Sequence, residues 1–111
     1  MVNILNIEVA EIPIAVEFSG NWPMEQIKRD YAPFITDKTA GIHIDADIVP
    51  SLLLEDPQCN FHCQDNLVVA DEEFRGYLDP SRGIGRLETL STKPIRYLAV
   101  FLRNLFSFLI V

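Results

Sequence analysis

Groups that carry chemistry are scarce in this chain. Its 111 residues include two cysteines, Cys59 and Cys63, and two histidines, His43 and His62. Two cysteines are too few for a disulfide scaffold. Four residues apart on an extended strand, their Cα atoms lie roughly 13 Å from each other, against a bridging limit of about 7 Å, so both are read as reduced thiols. Zinc needs four ligands. Only His43 could supplement the Cys59-Asn60-Phe61-His62-Cys63 segment, and on a strand the cysteines share a face with Phe61 while His62 points away. Core packing of the thiols is the better account, and neither a metal nor a cofactor is expected.

Positive charge is also short. Nine Lys and Arg against sixteen Asp and Glu leave a net charge of −7, which repels phosphate backbones and disfavours anionic membrane surfaces, so neither nucleic acid nor membrane is an expected partner. The N-terminus is apolar but carries Glu8, Glu11 and Glu17, with no basic n-region, so a cytoplasmic protein is expected. No Ser, His and Asp order, nucleophile elbow or G-x-x-x-x-G-K-[ST] loop occurs. His43, Asp45 and Asp47 fall on the polar side of one strand, where a solvated face explains them without a mechanism. The chain is not expected to be an enzyme.

What remains is enough to fold. Apolar residues make up 49% of the chain and run from end to end, which fits one domain over residues 1–111. Ile12, Ile14, Val16 and Phe18 alternate with polar positions, the period-two signature of a half-buried strand, and Pro13 puts that strand at an edge or splits it near Glu11 to Pro13. A short helix is expected from Pro23 to about Ala32, capped by Asn21 and stopped by Pro33. Gly41 to Ile48 is a strand with Ile42, Ile44, Ala46 and Ile48 inward. Further short strands at Cys59 to Gln64, Leu67 to Ala70, Phe74 to Leu78 and Ile84 to Leu90 follow so closely that antiparallel pairing is expected. Ser91 or Thr92 should cap a last helix with Pro94 in its first turn. The expected class is α+β: a mainly antiparallel sheet with a short N-terminal helix and a long apolar C-terminal helix.

The pattern from Asp71 to Val111, with Phe74-Arg75-Gly76-Tyr77-Leu78-Asp79, a glycine-containing turn and a Leu-Arg-containing apolar helix, resembles the region that precedes the kinase domain in HPr kinase-like proteins. The likeness covers the last third of the chain. In that family a nucleotide-binding domain with a P-loop follows the helix, and this sequence stops where it would begin. No catalytic residue is carried over, and the resemblance implies an accessory domain, either part of a longer kinase-like protein or a stand-alone relative.

The C-terminal helix carries the functional expectation. Ile95, Leu98, Ala99, Leu102, Leu105, Phe106 and Leu109 form one stripe, and further apolar residues widen it around most of the circumference, more than one sheet can cover. The run is too short, and too interrupted by Arg103-Asn104, to span a membrane. A protein partner or a second copy should cover the surplus, with Phe101, Phe108 and Val111 as interface residues. The alternative is an anion-binding turn using Arg75, Arg82 and Arg86 beside Gly83 and Gly85, although a plain hairpin turn with positive-φ glycines accounts for the same residues.

Elemental analysis of protein purified without chelator should find no zinc bound at Cys59 and Cys63; one stoichiometric zinc per chain contradicts the reading of the thiols as core residues.

Overall fold

A computed structural model describes residues 3–52, 67–70 and 73–110 of the chain. The elements run β1 (Asn3–Val9), β2 (Ile12–Ser19), α1 (Met24–Asp30), a 3-10 turn at Ala32–Phe34, β3 (Ile42–Ile48), β4 (Leu67–Ala70), β5 (Phe74–Asp79), β6 (Ile84–Thr89) and α2 (Pro94–Ile110). The strand expected at Cys59 to Gln64 lies outside the described residues.

The strands form one six-stranded sheet in the order β1-β2-β3-β6-β5-β4. It is mixed and not mainly antiparallel. β1–β2, β4–β5 and β5–β6 pair antiparallel, while β3 is parallel to both of its neighbours, β2 and β6. Short connections do produce antiparallel neighbours from β4 to β6. The connections on either side of β3 are long enough for crossovers, which is what parallel pairing requires.

The first apolar segment is a hairpin, with Val9 opposite Ile12. Its turn residues are not glycine or asparagine: Ala10 and Glu11 adopt φ values of 52° and 66°. Two left-handed residues give the turn the twist a two-residue hairpin needs. Pro13 is accommodated because β2 begins to pair with β3 only at Ile14 opposite Ile42, so at Pro13 the strand is still at an edge. The outer edge of β1 is covered in turn. Ile35 bridges to Ile7, the Thr36 N–H donates to the Asn6 carbonyl at 3.1 Å, and Lys38 donates to Glu8 at 2.8 Å. Covering an edge in this way blocks strand addition.

Both helices lie on the same side of the sheet and share one core. Leu5 and Ile7 from β1, Ile14, Val16 and Phe18 from β2, Ile44 and Ala46 from β3 and Leu87 from β6 are buried together with Trp22, Ile27 and the inner residues of α2. α1 is shorter than its expected Pro23 to Ala32 span, and Pro33 sits within the 3-10 turn that follows. Asn21 is exposed and α1 has no side-chain cap; the Met24 N–H donates to the Trp22 carbonyl at 2.9 Å. Trp22 anchors this entry, its indole N–H donating to the Ser19 carbonyl at 2.9 Å and its ring meeting Phe18 edge-on at 5.1 Å.

α2 crosses β4, β5 and β6, burying Tyr97, Leu98, Phe101, Leu102, Leu105 and Phe106. It comes close because β5 has a glycine beneath it: a Cβ built on Gly76 would stand 2.2 Å from Phe101 Cδ1. Gly85 makes room within the sheet itself, where a Cβ would stand 2.5 Å from Ile44 Cδ1 and 2.7 Å from the Tyr77 carbonyl oxygen. At the start of the helix, Glu73 accepts hydrogen bonds from the Tyr97 hydroxyl and from the Thr92 hydroxyl, the latter at 2.9 Å, while Tyr97 stacks on Phe74 at 4.8 Å. The Thr92 side chain is thus turned to Glu73.

Gly76→Ala should therefore destabilise the fold by about 1–3 kcal/mol, the usual cost of an overpacked core, and a denaturant melt measures it. An unchanged midpoint would mean that Phe101 can slide off β5 without loss.

Candidate functional site

The side chains that could meet a partner follow from the way α2 is rotated. Its sheet-facing stripe fixes Arg96, Arg103, Asn104, Ser107 and Ile110 as the exposed positions. Arg96, Arg103 and Ile110 are seven residues apart, nearly two helical turns, and so lie along one outer strip. No carboxylate occurs anywhere from Pro94 to Ile110. The strip is cationic along its length and apolar at its end, where Ile110 is 55% exposed and Phe108 and Leu109 are half-buried. Asn104 donates back to the Val100 carbonyl at 2.8 Å, one turn earlier.

Of the three residues expected at an interface, Phe101 does not belong there. It is 0% exposed, with its ring over Gly76 in the chain's own core. Helical periodicity put it off the Leu98, Leu102 and Leu105 stripe, but the missing side chain at Gly76 lets α2 settle close enough for the wider face to be buried. Phe108 keeps part of its surface in solvent, and Val111 lies outside the described residues. Ile110 was missed as a site residue; its seven-residue spacing from Arg103 is the signal that places it on the outer strip.

The arginines of the alternative anion site do not converge. Arg75 and Arg86 stand in neighbouring rows of the sheet face away from the helices, since Arg75 is opposite Glu88 and Arg86 opposite Tyr77. The Arg86 guanidinium pairs with Asp47 at 3.0 Å and Glu88 at 3.3 Å. Arg82 is in the β5–β6 turn, 3.6 Å from the Asp79 carboxylate. The donors that could cradle an anion there already hold one: the Ser81 N–H, the Ser81 hydroxyl and the Arg82 N–H all donate to Asp79 Oδ1, at 3.1, 2.7 and 3.3 Å. Of the two glycines, Gly83 has φ 67°, with the Gly41 carbonyl in the space a Cβ would take, whereas Gly85 belongs to β6.

His43 and Asp45 are exposed on that same outer face of the sheet, with Asp47 partly exposed beside them. Among the described residues no group of three or more His, Cys, Asp and Glu side chains could hold a metal ion. The Cys59, His62 and Cys63 segment lies outside them. Among the described residues no helix is long and apolar enough to cross a membrane. Comparison with family models, with curated proteins and with solved structures finds no match.

Two carboxylates secure the elements that present α2. Hydrogen bonds from Tyr97 and then Thr92 hold Glu73 below the usual glutamate range. Those from the Ser81 side chain, and from the Arg82 backbone, do the same for Asp79, with the Arg82 charge adding to them. A carboxylate whose pKa is depressed on folding stabilises the native state above its unfolded pKa and loses that contribution as pH falls through the folded value. Asp79→Asn should therefore be less stable than wild type at neutral pH, and the gap should close as pH falls below about 3.9, the ordinary aspartate value. Urea melts at several pH values measure it, and a gap that stays constant into acid would show that Asp79 acts through shape alone.

Proposed function

We propose that this chain is a non-catalytic interaction domain that self-associates, or docks to a kinase-like domain, through the outer strip and C-terminal end of α2. The observation that carries the reading is the apolar end of that helix. Ile110 leaves more than half of its surface in water beside Phe108 and Leu109, on a helix whose inner stripe is already filled by the chain's own sheet. An apolar tip flanked by cations suits a surface that combines apolar contact with negative charge.

The anion-binding alternative gains no such support, because the turn donors are engaged by Asp79 and Arg86 by its neighbouring carboxylates. The kinase-like partner rests on the likeness of residues 71–111 to the region before such a domain. Self-association requires only a second copy.

Replacing Phe108 and Ile110 together with serine should lower the weight-average mass in sedimentation at high protein concentration while leaving the far-ultraviolet circular dichroism unchanged. A mass that stays at the wild-type oligomer value would remove the helix end from the interface.

A further inference from the structure

We infer that the surface receiving α2 is the sheet face away from the helices, over β2 and β3, on a second copy of this chain. The inference rests on the self-association reading above and goes beyond it by naming the receptor. Because both helices pack on one side, the other side of the sheet has no layer over it among the described residues. Register places its side chains in rows. One row holds Ala15, His43 and Ile84; the next holds Ile4, Glu17, Asp45, Arg86 and Tyr77; a third holds Ser19, Asp47, Glu88 and Arg75.

The two rows nearest the ends of β2 and β3 carry Glu17, Asp45, Asp47 and Glu88 against Arg75 and Arg86, an acidic surplus. Arg86 is directed to Asp47 and Glu88. Glu17 and Asp45 are register partners on adjacent strands, both exposed, and among the described residues neither carboxylate forms an ion pair. Like charges placed side by side in a sheet oppose its pairing, and a cation brought over them removes that opposition. Exposed apolar side chains flank them: Ile4, 54% exposed, beside Glu17, and Ile84, 44% exposed, one row from Asp45.

The outer strip of α2 complements this surface in charge, spacing and apolar content. Arg96 and Arg103 lie about 10.5 Å apart along the helix at 1.5 Å per residue. From Glu17 on β2 to Glu88 on β6 is two strand spacings and one row, about 12 Å from ordinary sheet dimensions. A helix laid across the strands sets its two guanidiniums over the two ends of the carboxylate patch and brings Ile110 to an apolar margin. Each copy carries a net charge of −7, yet near 0.15 M salt the Debye length is about 8 Å, so apposed patches outweigh distant repulsion. Donor strip and receptor face are different surfaces, so the contact is head-to-tail and association continues past the dimer.

The test is charge reversal followed by sedimentation of the full chain. Glu17→Lys with Asp45→Lys adds four positive units and takes the net charge from −7 to −3. If overall repulsion governed association this variant would associate more strongly, whereas docking on the sheet face requires it to weaken on the order of a hundredfold. Arg96→Glu with Arg103→Glu should weaken association similarly, and mixing the two variants should restore it. Circular dichroism verifies the folds, and Glu17→Gln with Asp45→Asn serves if the lysine pair fails to fold, with a weaker loss expected. If the sheet variants associate like wild type while the Phe108 and Ile110 double variant dissociates, the helix interface stands and the sheet face is not its receptor. A wild type that stays monomeric at every concentration overturns both the receptor and the self-association beneath it.

Discussion

The close approach of Phe101 to Gly76 sets the rest of the helix layer. With a Cβ at position 76 the ring would have no room, so α2 could not sit low on β5 and its inner stripe could not include Tyr97, Phe101 and Leu105 together. Once that ring is seated, the rotation of the helix is fixed. Arg96, Arg103 and Ile110 must then face away from the sheet. Glu73 holds the start of the same helix through Thr92 and Tyr97, so both its rotation and its origin are determined by β5 and the residue just before it.

Among the described residues, both helices on one side give the sheet two unlike faces. The inner face is a continuous apolar surface from Leu5 to Phe74. The outer one is charged even at β3, the strand with parallel neighbours on both sides, a position that in many folds is covered twice. Asp45 and Asp47 show how the chain manages this. Alternation along β3 sends Ile44 and Ala46 inward, and the intervening positions carry groups that water solvates well.

The alternation in β2 and β3 and the seven-residue recurrences in α2 could be read directly, because burial on one face imprints a period on the sequence. Strand order could not. Parallel pairing of β3 depends on which way two long connections run, and no local pattern records that. The Ala10-Glu11 turn was hidden for a related reason: neither residue favours positive φ, and the hairpin imposes it on both. The misplacement of Phe101 had a different origin. A helical wheel ranks positions by angle, but how much of the circumference is buried depends on the facing surface, and Gly76 widened it. Of the arginine turn, the residues were legible and their engagement was not, since Asp79 is drawn to Ser81 and Arg82 by geometry that only the folded turn supplies.

Charge placement joins the fold to the proposed contact. Carboxylates outnumber basic residues in the chain as a whole, yet α2 has none, and its exposed charges are Arg96 and Arg103. Carboxylates favour helix N-termini and basic groups favour C-termini, so dipole preference does not explain an arginine near the start of α2. Arg96 has a favourable neighbour in its own chain, the Glu73 carboxylate that holds the start of the helix, but at Arg103 an outward glutamate would serve solubility equally well. The opposite asymmetry holds on the sheet, where Glu17 and Asp45 stand side by side although sheet stability alone favours an oppositely charged pair there. Arg103 and the Glu17–Asp45 pair, of opposite sign and on opposite layers, have a common physical explanation if the two surfaces meet between copies.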